Sequence, residues 1–241
     1  MKTLLLSLVL LTSCTVFAVK PLSISPEAQT ELWTIKWWRS RHEEKIALKE
    51  QMAKVELVFL GDSITHAWDN KAKDIWQEYY SKRNALNIGF GGDRTEHVLW
   101  RLNNGAIDNI DPKLLVLMIG TNNTGHRQDK PEDTALGIKE ILNTLARKLP
   151  KTKVLLLAIF PRGAQPTNPL RKINDDTNAI IKSYHDGERI HYLDINHQFL
   201  NEKGELSKSV MKDLLHPNKA QYLVWAKAIE PKVKALMAIS R

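Results

Sequence analysis

The sequence is poor in cysteine: its 241 residues include a single one, Cys14. One cysteine excludes internal disulfide bonds and thiolate zinc sites. Cysteine catalysis is excluded as well, because the pattern around Cys14 predicts that this residue is removed with an export signal or becomes a lipid anchor. Long apolar runs are lacking too: residues 4–11 fall well short of the roughly 20 residues that cross a bilayer. No repeat or low-complexity tract is visible.

The composition is that of a globular protein, with 43% hydrophobic and 26% charged residues. The formal net charge of +8 could indicate a nucleic-acid partner. However, Lys and Arg are interleaved with Asp and Glu, as at 39–45, which is typical of solvated helix faces. We therefore expect no nucleic-acid partner, and a chain of this length predicts one α/β domain.

The N-terminus predicts export. A lysine at position 2, the apolar run at 4–11 and small residues up to Ala18 form the pattern of a signal peptide over residues 1–18. Leu-Thr-Ser-Cys at 11–14 also resembles a bacterial lipobox, in which Cys14 would become a lipid anchor. The prediction is a periplasmic or extracellular protein, with a membrane-anchored lipoprotein as the alternative.

Apolar runs alternate with longer amphipathic stretches along the rest of the chain. The predicted strands are 55–60, 85–88, 114–119, 154–159 and 190–193, and the predicted helices are 28–52, 133–148, 169–184 and 219–238. Such alternation favours a parallel sheet covered by helices on both faces, a three-layer α/β/α sandwich. We divide the chain into a signal peptide (1–18), an N-terminal helical extension (19–53) and a main α/β domain (54–241).

Polar or glycine-rich motifs follow three of the predicted strands. Gly-Asp-Ser-Ile-Thr occupies 61–65, a glycine-rich loop occupies 89–95, and Gly-Thr-Asn-Asn occupies 120–123. A fourth motif, Asp-Leu-Leu-His at 213–216, precedes the last predicted helix. Each motif alone is compatible with an ordinary turn or helix cap. Because function in such sheets collects beyond the carboxyl ends of the strands, we expect the four motifs to meet there.

Together the motifs contain the groups that acyl transfer requires. Ser63 supplies a hydroxyl nucleophile, His216 a base, and Asp213 a carboxylate that can fix the imidazole tautomer. The backbone N–H groups of Ser63 and Gly92 and the side-chain amide of Asn122 are candidate oxyanion donors. We therefore predict Ser63, Asp213 and His216 as catalytic residues, with an oxyanion hole formed by Ser63, Gly92 and Asn122.

At Ser63, Gly92, Asn122 and His216 the sequence resembles the SGNH (GDSL-like) hydrolases. A closer resemblance, to the catalytic subunits of platelet-activating-factor acetylhydrolase, is carried by residues 91–102, 120–123, 161–163 and 168–171. The resemblance implies a flavodoxin-like sandwich with a five-stranded parallel sheet. It also implies a serine esterase that needs no cofactor and prefers short acyl groups such as acetyl. No zinc-ligand spacing is present, so we expect no metal.

Three hypotheses follow for the molecule that this chain recognises. The first is an acetylated carbohydrate, and the second is a phospholipid or lysophospholipid ester. The third is a non-catalytic carbohydrate- or partner-binding module, which the complete set of catalytic groups disfavours. Trp33, Trp37 and Trp38 could stack against sugar rings, although their helical spacing is more typical of residues that pack a helix onto its domain.

Overall fold

The computed structural model describes residues 20–238. The predicted signal peptide and the alternative lipid anchor at Cys14 lie outside the described residues and stay predictions. Within residues 20–238, no helix is both long and apolar enough to cross a membrane.

Five parallel strands form one sheet in the order β2-β1-β3-β4-β5. The strands are β1 (Leu57–Gly61), β2 (Ala85–Gly89), β3 (Leu114–Met118), β4 (Lys153–Leu157) and β5 (Ile190–Leu193). All five predicted strands are therefore present, with ends that differ by two residues at most. The register is regular, and Gly61 at the end of β1 pairs with Gly89 on one side and Met118 on the other. The predicted parallel α/β fold is confirmed.

Helices connect the strands and close the chain. They are α1 (Trp38–Gln51), α2 (Ser63–His66), α3 (Lys73–Tyr79), α4 (Thr95–Asn103), α5 (Pro131–Lys148), α6 (Pro169–Ile181) and α7 (Lys219–Ala238). Prolines at the first position of α5 and α6 suit helix starts, because proline lacks an N–H that would have no partner there. The asparagine before α6, Asn168, accepts hydrogen bonds from two backbone amides of the first turn.

The strands are apolar on both faces because each face is covered by helices. Val58 and Leu60 of β1 pack in one core cluster with Val98 of α4 and Leu142 of α5. Phe59, between them in sequence, belongs to a second cluster on the opposite face. That second cluster contains Trp76 of α3, Tyr80 directly after α3, and Tyr222 and Trp225 of α7. The alternation within one strand shows why the runs read as continuously hydrophobic: every position is buried.

The predicted N-terminal helix over 28–52 is correct for its second part and wrong for residues 28–37. Only α1 is helical, and residues 28–37 form turns that lie against the glycine-rich loop after β2. Gln29 is buried there, and its side-chain amide donates to the carbonyl of Gly92 over 3.1 Å. Thr34 is also buried, and its hydroxyl donates to the carbonyl of Glu31 over 2.6 Å. The local turn at Thr34 and the tertiary contact of Gln29 with Gly92 outweigh the helical propensity of the segment.

Candidate active site

Ser63 lies at the carboxyl end of β1, as the first residue of the short helix α2. Asp62 caps that helix, because its Oδ1 accepts the amide N–H of Ile64 over 2.9 Å. Asp62 is fully buried, and burial raises its pKa to about 7. The opposite end of the turn is fixed by Tyr222 of α7, whose hydroxyl donates to the carbonyl of Ile64 over 2.7 Å. The serine is thus presented on a turn held from both sides.

His216 and Asp213 lie in the turn that precedes α7. Ser63 Oγ is 2.9 Å from His216 Nε2, and His216 Nδ1 is 2.6 Å from Asp213 Oδ2. The other carboxylate oxygen of Asp213 accepts the backbone N–H of His216 over 2.8 Å and that of Leu215 over 3.1 Å. Partial burial works against ionisation of Asp213, but the hydrogen bonds from His216 hold its pKa below the usual value. The carboxylate therefore stays charged and fixes the imidazole.

The two other predicted donors come from the loops after β2 and β3. Gly92 has φ = 77°, a left-handed conformation that favours glycine. Asn122 is buried, and its Nδ2 donates to the backbone carbonyl of Asp93 over 2.9 Å, so the two loops are joined. Arg162, from the loop after β4, donates from Nη1 to the carbonyl of Thr121 over 2.7 Å and so holds the residue before Asn122.

A buried ion pair beneath this loop was not foreseen from the sequence. Asp93 and Arg101 have no exposed side-chain surface and lie 2.8 Å apart, and Trp38 Nε1 donates to Asp93 Oδ1 over 2.6 Å. Burial raises the pKa of Asp93, while Arg101 and Trp38 oppose that shift. Arg101 also stacks on Phe90, with its guanidinium carbon 4.1 Å from the ring centroid. In the sequence, the position of Asp93 directly after Gly92 was the one sign that its side chain could support the glycine-rich loop.

Two other histidines lie close to the site but are poorly suited to act as the base. His66 ends α2, and its Nδ1 accepts the backbone N–H of Gly91 over 3.3 Å. Burial lowers the pKa of His66 to about 4, and the charge of Arg41 adds to the shift. Burial likewise lowers the pKa of His97 to about 3, and its Nδ1 accepts the N–H of Arg94 over 3.0 Å. Both rings are neutral at neutral pH and already have structural partners.

The three tryptophans of the N-terminal segment have different environments. Trp38 is buried in the core and bonded to Asp93, so it cannot stack against a ligand. Trp37 is half-buried, and its ring centroid lies 5.7 Å from that of His66. Trp33 is 56% exposed, although its ring touches the glycine-rich loop. The packing role predicted from helical spacing therefore fits Trp38 and does not fit Trp33.

Comparisons with known proteins give the site a family context. Residues 59–224 match the model of the GDSL-like lipase/acylhydrolase family. Human platelet-activating factor acetylhydrolase IB subunit alpha1 is 37% identical over 202 residues, which cover 83% of this chain and 84% of the relative. The alpha2 subunit from Rattus norvegicus is 34% identical over 215 residues, covering 89% of this chain and 90% of the relative.

Solved structures share the fold at lower sequence identity. A GDSL-like lipase from Bacteroides thetaiotaomicron superposes with a TM-score of 0.67 at 21% identity, covering 81% of this chain and 97% of that one. An acetylxylan esterase from Geobacillus stearothermophilus gives a TM-score of 0.60 at 17% identity, covering 79% and 98%. At these identities the likeness establishes the three-layer architecture alone.

Proposed function

This chain belongs to the GDSL-like lipase/acylhydrolase family, whose members hydrolyse carboxylic esters, and we propose that it removes short acyl groups, chiefly acetyl, through an acyl-enzyme on Ser63. The observation that carries the proposal is the unbroken hydrogen-bonded chain from Ser63 Oγ through His216 to Asp213, with links of 2.9 and 2.6 Å. A hydroxyl, a base and an orienting carboxylate in this order are what nucleophilic acyl transfer needs.

In the first half of the reaction, Ser63 Oγ attacks the ester carbonyl carbon while His216 Nε2 takes the hydroxyl proton. Asp213 accepts a hydrogen bond from the Nδ1–H of the ring, which keeps Nε2 free as a proton acceptor, and its charge stabilises the imidazolium that forms. The tetrahedral intermediate then collapses, the bond to the leaving oxygen breaks, and His216 passes its proton to the departing alcohol. The acyl group stays on Ser63 as an ester.

The negative charge on the former carbonyl oxygen is held by three donors in this proposal. They are the backbone N–H groups of Ser63 and Gly92 and the side-chain amide of Asn122. One N–H of the Asn122 amide is bound to the Asp93 carbonyl, which fixes the amide plane and leaves the second N–H for the oxyanion. Because these donors are set before the substrate arrives, little reorganisation is needed during the reaction.

In the second half a water molecule replaces the alcohol. His216 takes a proton from the water, the hydroxide adds to the acyl carbon, and the same three donors hold the second oxyanion. Collapse breaks the acyl–oxygen bond, and His216 returns the proton to Ser63 Oγ. The products are one carboxylic acid and one alcohol, and no further reactant is required.

For the substrate, we propose an O-acetylated carbohydrate. A cleft of about 530 Å³ opens beside His216, and it is lined by Lys71, Lys212, Asp213, His216, Asn218 and Lys219. The polar ends of these side chains can hydrogen-bond an alcohol rich in hydroxyl groups, while their carbon atoms supply most of the exposed lining. The acetylxylan esterase of the same fold is named for a substrate of this kind.

A second candidate is the acetyl or acyl ester of a phospholipid. The three lysines of the cleft, Lys71, Lys212 and Lys219, are the feature that favours it, because ammonium groups pair with phosphate. The curated relatives named above act, by their name, on platelet-activating factor. The two candidates differ in the alcohol and share the chemistry at Ser63.

We also propose that the protein works outside the cytoplasm. The pattern over residues 1–18 supports this localisation, and Cys14 offers a lipid anchor as the alternative. Intact mass of the protein from its native host distinguishes the two outcomes. Cleavage after Ala18 gives a chain starting at Val19, and lipidation gives a chain starting at a modified Cys14. An unprocessed N-terminus contradicts export.

One assay tests the substrate proposal. Purified protein is given acetylated xylo-oligosaccharides and, separately, vesicles of an acetylated ether glycerophospholipid, and acetate release is measured for each. We expect a kcat/KM on the oligosaccharide at least about tenfold above that on the lipid, and none with Ser63→Ala. The reverse preference supports the phospholipid candidate, and failure to release acetate from any ester contradicts the short-acyl proposal.

A further inference from the structure

The segment 29–37, which precedes α1, lies directly on one of the proposed oxyanion loops. Gln29 donates from Nε2 to the Gly92 carbonyl over 3.1 Å, and Glu31 pairs with Arg94 over 3.3 Å. A Cβ added to Gly92 would lie 2.5 Å from Cη2 of Trp33. The six-membered ring of Trp33 therefore occupies the space that any side chain at position 92 would need, beside the N–H proposed as an oxyanion donor.

Trp33 is exposed although its backbone is firmly held. Its neighbour Thr34 is completely buried, and the carbonyl of Trp33 accepts the indole N–H of Trp37 over 3.0 Å. The two indole rings lie 6.3 Å apart at an angle of 42°. Trp37 in turn contacts Gly91 and the ring of His66, at the end of the helix that Ser63 begins. The exposed indole is thus a fixed part of the rim of the site.

We propose that Trp33 is a binding platform for the sugar ring that carries the ester oxygen, an inference that rests on the proposed carbohydrate esterase function. An acetyl group adds a single carbon beyond the carbonyl and offers little surface to an indole that is more than half exposed. The alcohol part of the ester is the larger part and extends away from the reacting carbon, so we assign it to the indole. One face of a pyranose carries mainly C–H groups, which pack against an aromatic ring.

The surroundings of Trp33 favour a sugar over a hydrocarbon chain. Arg94 pairs with the carboxylate of Glu31, two residues before Trp33, over 3.3 Å and lies 3.2 Å from the ring of His126. In the proposal these polar groups serve the hydroxyl groups of the stacked pyranose. In the same segment, Leu32 is 86% and Ile35 is 54% exposed. A lipid surface would contact these two aliphatic residues, so substituting them tests the lipid alternative.

The experiment measures kcat and KM for acetylated xylo-oligosaccharides and for ethyl acetate, whose alcohol has no sugar ring to stack on the indole. For Trp33→Ala we expect KM on the oligosaccharide to rise about tenfold with kcat nearly unchanged, because a stacked sugar is bound equally in the ground and transition states. Trp33→Phe should recover part of the loss. The ratio of kcat/KM between oligosaccharide and ethyl acetate falls about tenfold in Trp33→Ala.

Leu48→Ala is the matched control, since Leu48 is also an exposed apolar residue but lies near the far end of α1. Leu48→Ala should leave kcat and KM unchanged on both substrates. Equal losses on the two substrates in Trp33→Ala would assign Trp33 to support of the loop and overturn the platform. Unchanged oligosaccharide KM in Trp33→Ala would overturn the platform while leaving the carbohydrate esterase proposal intact.

The lipid alternative is tested with Leu32→Ala/Ile35→Ala on vesicles of the acetylated ether phospholipid. Loss of hydrolysis on vesicles, with oligosaccharide KM unaffected by Trp33→Ala, identifies the segment as a lipid contact and overturns the platform. If the unaltered protein hydrolyses ethyl acetate but not the acetylated oligosaccharide, the carbohydrate substrate and the platform both fail. Failure of the carbohydrate substrate is seen in the unaltered protein, whereas failure of the platform alone is seen only in Trp33→Ala, so the two outcomes are distinguishable.

Discussion

Removing the side chain of Asn122 separates the two tasks that we assign to it. In Asn122→Ala the oxyanion loses one of three proposed donors, the one that is a side chain. Loss of a single such donor costs about a hundredfold to a thousandfold in kcat, or about 2.7–4 kcal/mol. Because the donor acts mainly on the charge that develops in the transition state, KM should change much less than kcat.

The same substitution leaves a backbone group without its partner. The Asp93 carbonyl accepts from Asn122 Nδ2 over 2.9 Å in a buried setting. An unpaired buried acceptor costs about 1–3 kcal/mol. For a domain of this size we expect the melting temperature to fall by roughly 2–12 °C. The fold should survive, so the kinetic effect is measurable below the transition.

Asn123 offers a matched control in the next position. It is equally buried, and its side chain accepts the N–H of Thr95 over 3.1 Å and donates to Asp129 over 3.0 Å. Asn123→Ala should therefore lower the melting temperature by a similar amount while kcat stays within a fewfold of the original. The assay is steady-state acetate release for both variants, with thermal unfolding by circular dichroism. An Asn122→Ala variant that keeps more than about a tenth of kcat, or an Asn123→Ala variant with an equal kinetic loss, refutes the assignment.

Three further predictions concern charged groups. Asp213→Asn should lower kcat by roughly ten-thousandfold, because an amide stabilises the wrong imidazole tautomer, with little change in melting temperature; an acetate assay and a thermal melt measure both. Arg101→Met should destabilise the fold by about 3–5 kcal/mol, because it leaves the Asp93 carboxylate buried without its partner. Urea unfolding measures this loss, and the double variant Arg101→Met/Asp93→Asn should recover part of it. Hydrogen bonds from Lys54 and Lys113 lower the pKa of Glu56 to about 2. Its contribution to the free energy of unfolding is therefore present above the unfolded pKa of about 4.3 and disappears as the pH falls towards 2. Urea unfolding of Glu56→Gln across this range should show a smaller acid-induced loss than the unaltered protein, and an equal loss would contradict the assigned cause.

The sheet was predictable because burial on both faces gives a strong local signal. Each strand is a short run of apolar residues, such as Leu114–Met118, and the turn residues that follow mark its end. The parallel arrangement then brings the carboxyl ends together, so motifs far apart in sequence could be expected at one edge. The order of the strands comes from the crossover connections and could be inferred only through the resemblance to a known family.

The N-terminal segment was harder to predict because its structure depends on contacts with the rest of the chain. The buried face of α1 consists of Trp38, His42, Lys45 and Lys49. His42 and Lys49 lie within hydrogen-bond distance of the carbonyls of Asn104 and Gly105, at 2.8 and 2.6 Å, and Lys45 pairs with Asp69. A polar face buried by pairing has no hydrophobic period to detect, and nothing local showed that helix would begin only at residue 38.

For the candidate site, residue types and spacing were enough to predict that Ser63, His216 and Asp213 lie together, whereas the oxyanion roles of Gly92 and Asn122 stay predictions. Asp213 and His216, three residues apart, adopt the expected contact through one turn. The support beneath the glycine-rich loop was not predictable, since Asp93 binds Arg101, eight residues along the chain, and also Trp38, which lies 55 residues away in sequence. The position of Trp33 on the loop at Gly92 is likewise a tertiary contact between segments about 60 residues apart, and no local pattern encodes it.

The central claim, that Ser63 is the nucleophile, is tested most directly by covalent labelling. A fluorophosphonate is incubated with the purified protein, acetate release is followed in parallel, and the labelled peptide is identified by mass spectrometry. We predict one adduct per chain on Ser63, loss of activity in proportion to labelling, and greatly slowed labelling in His216→Ala. An active protein that takes up no label, or an adduct on another residue with loss of activity, would contradict the claim.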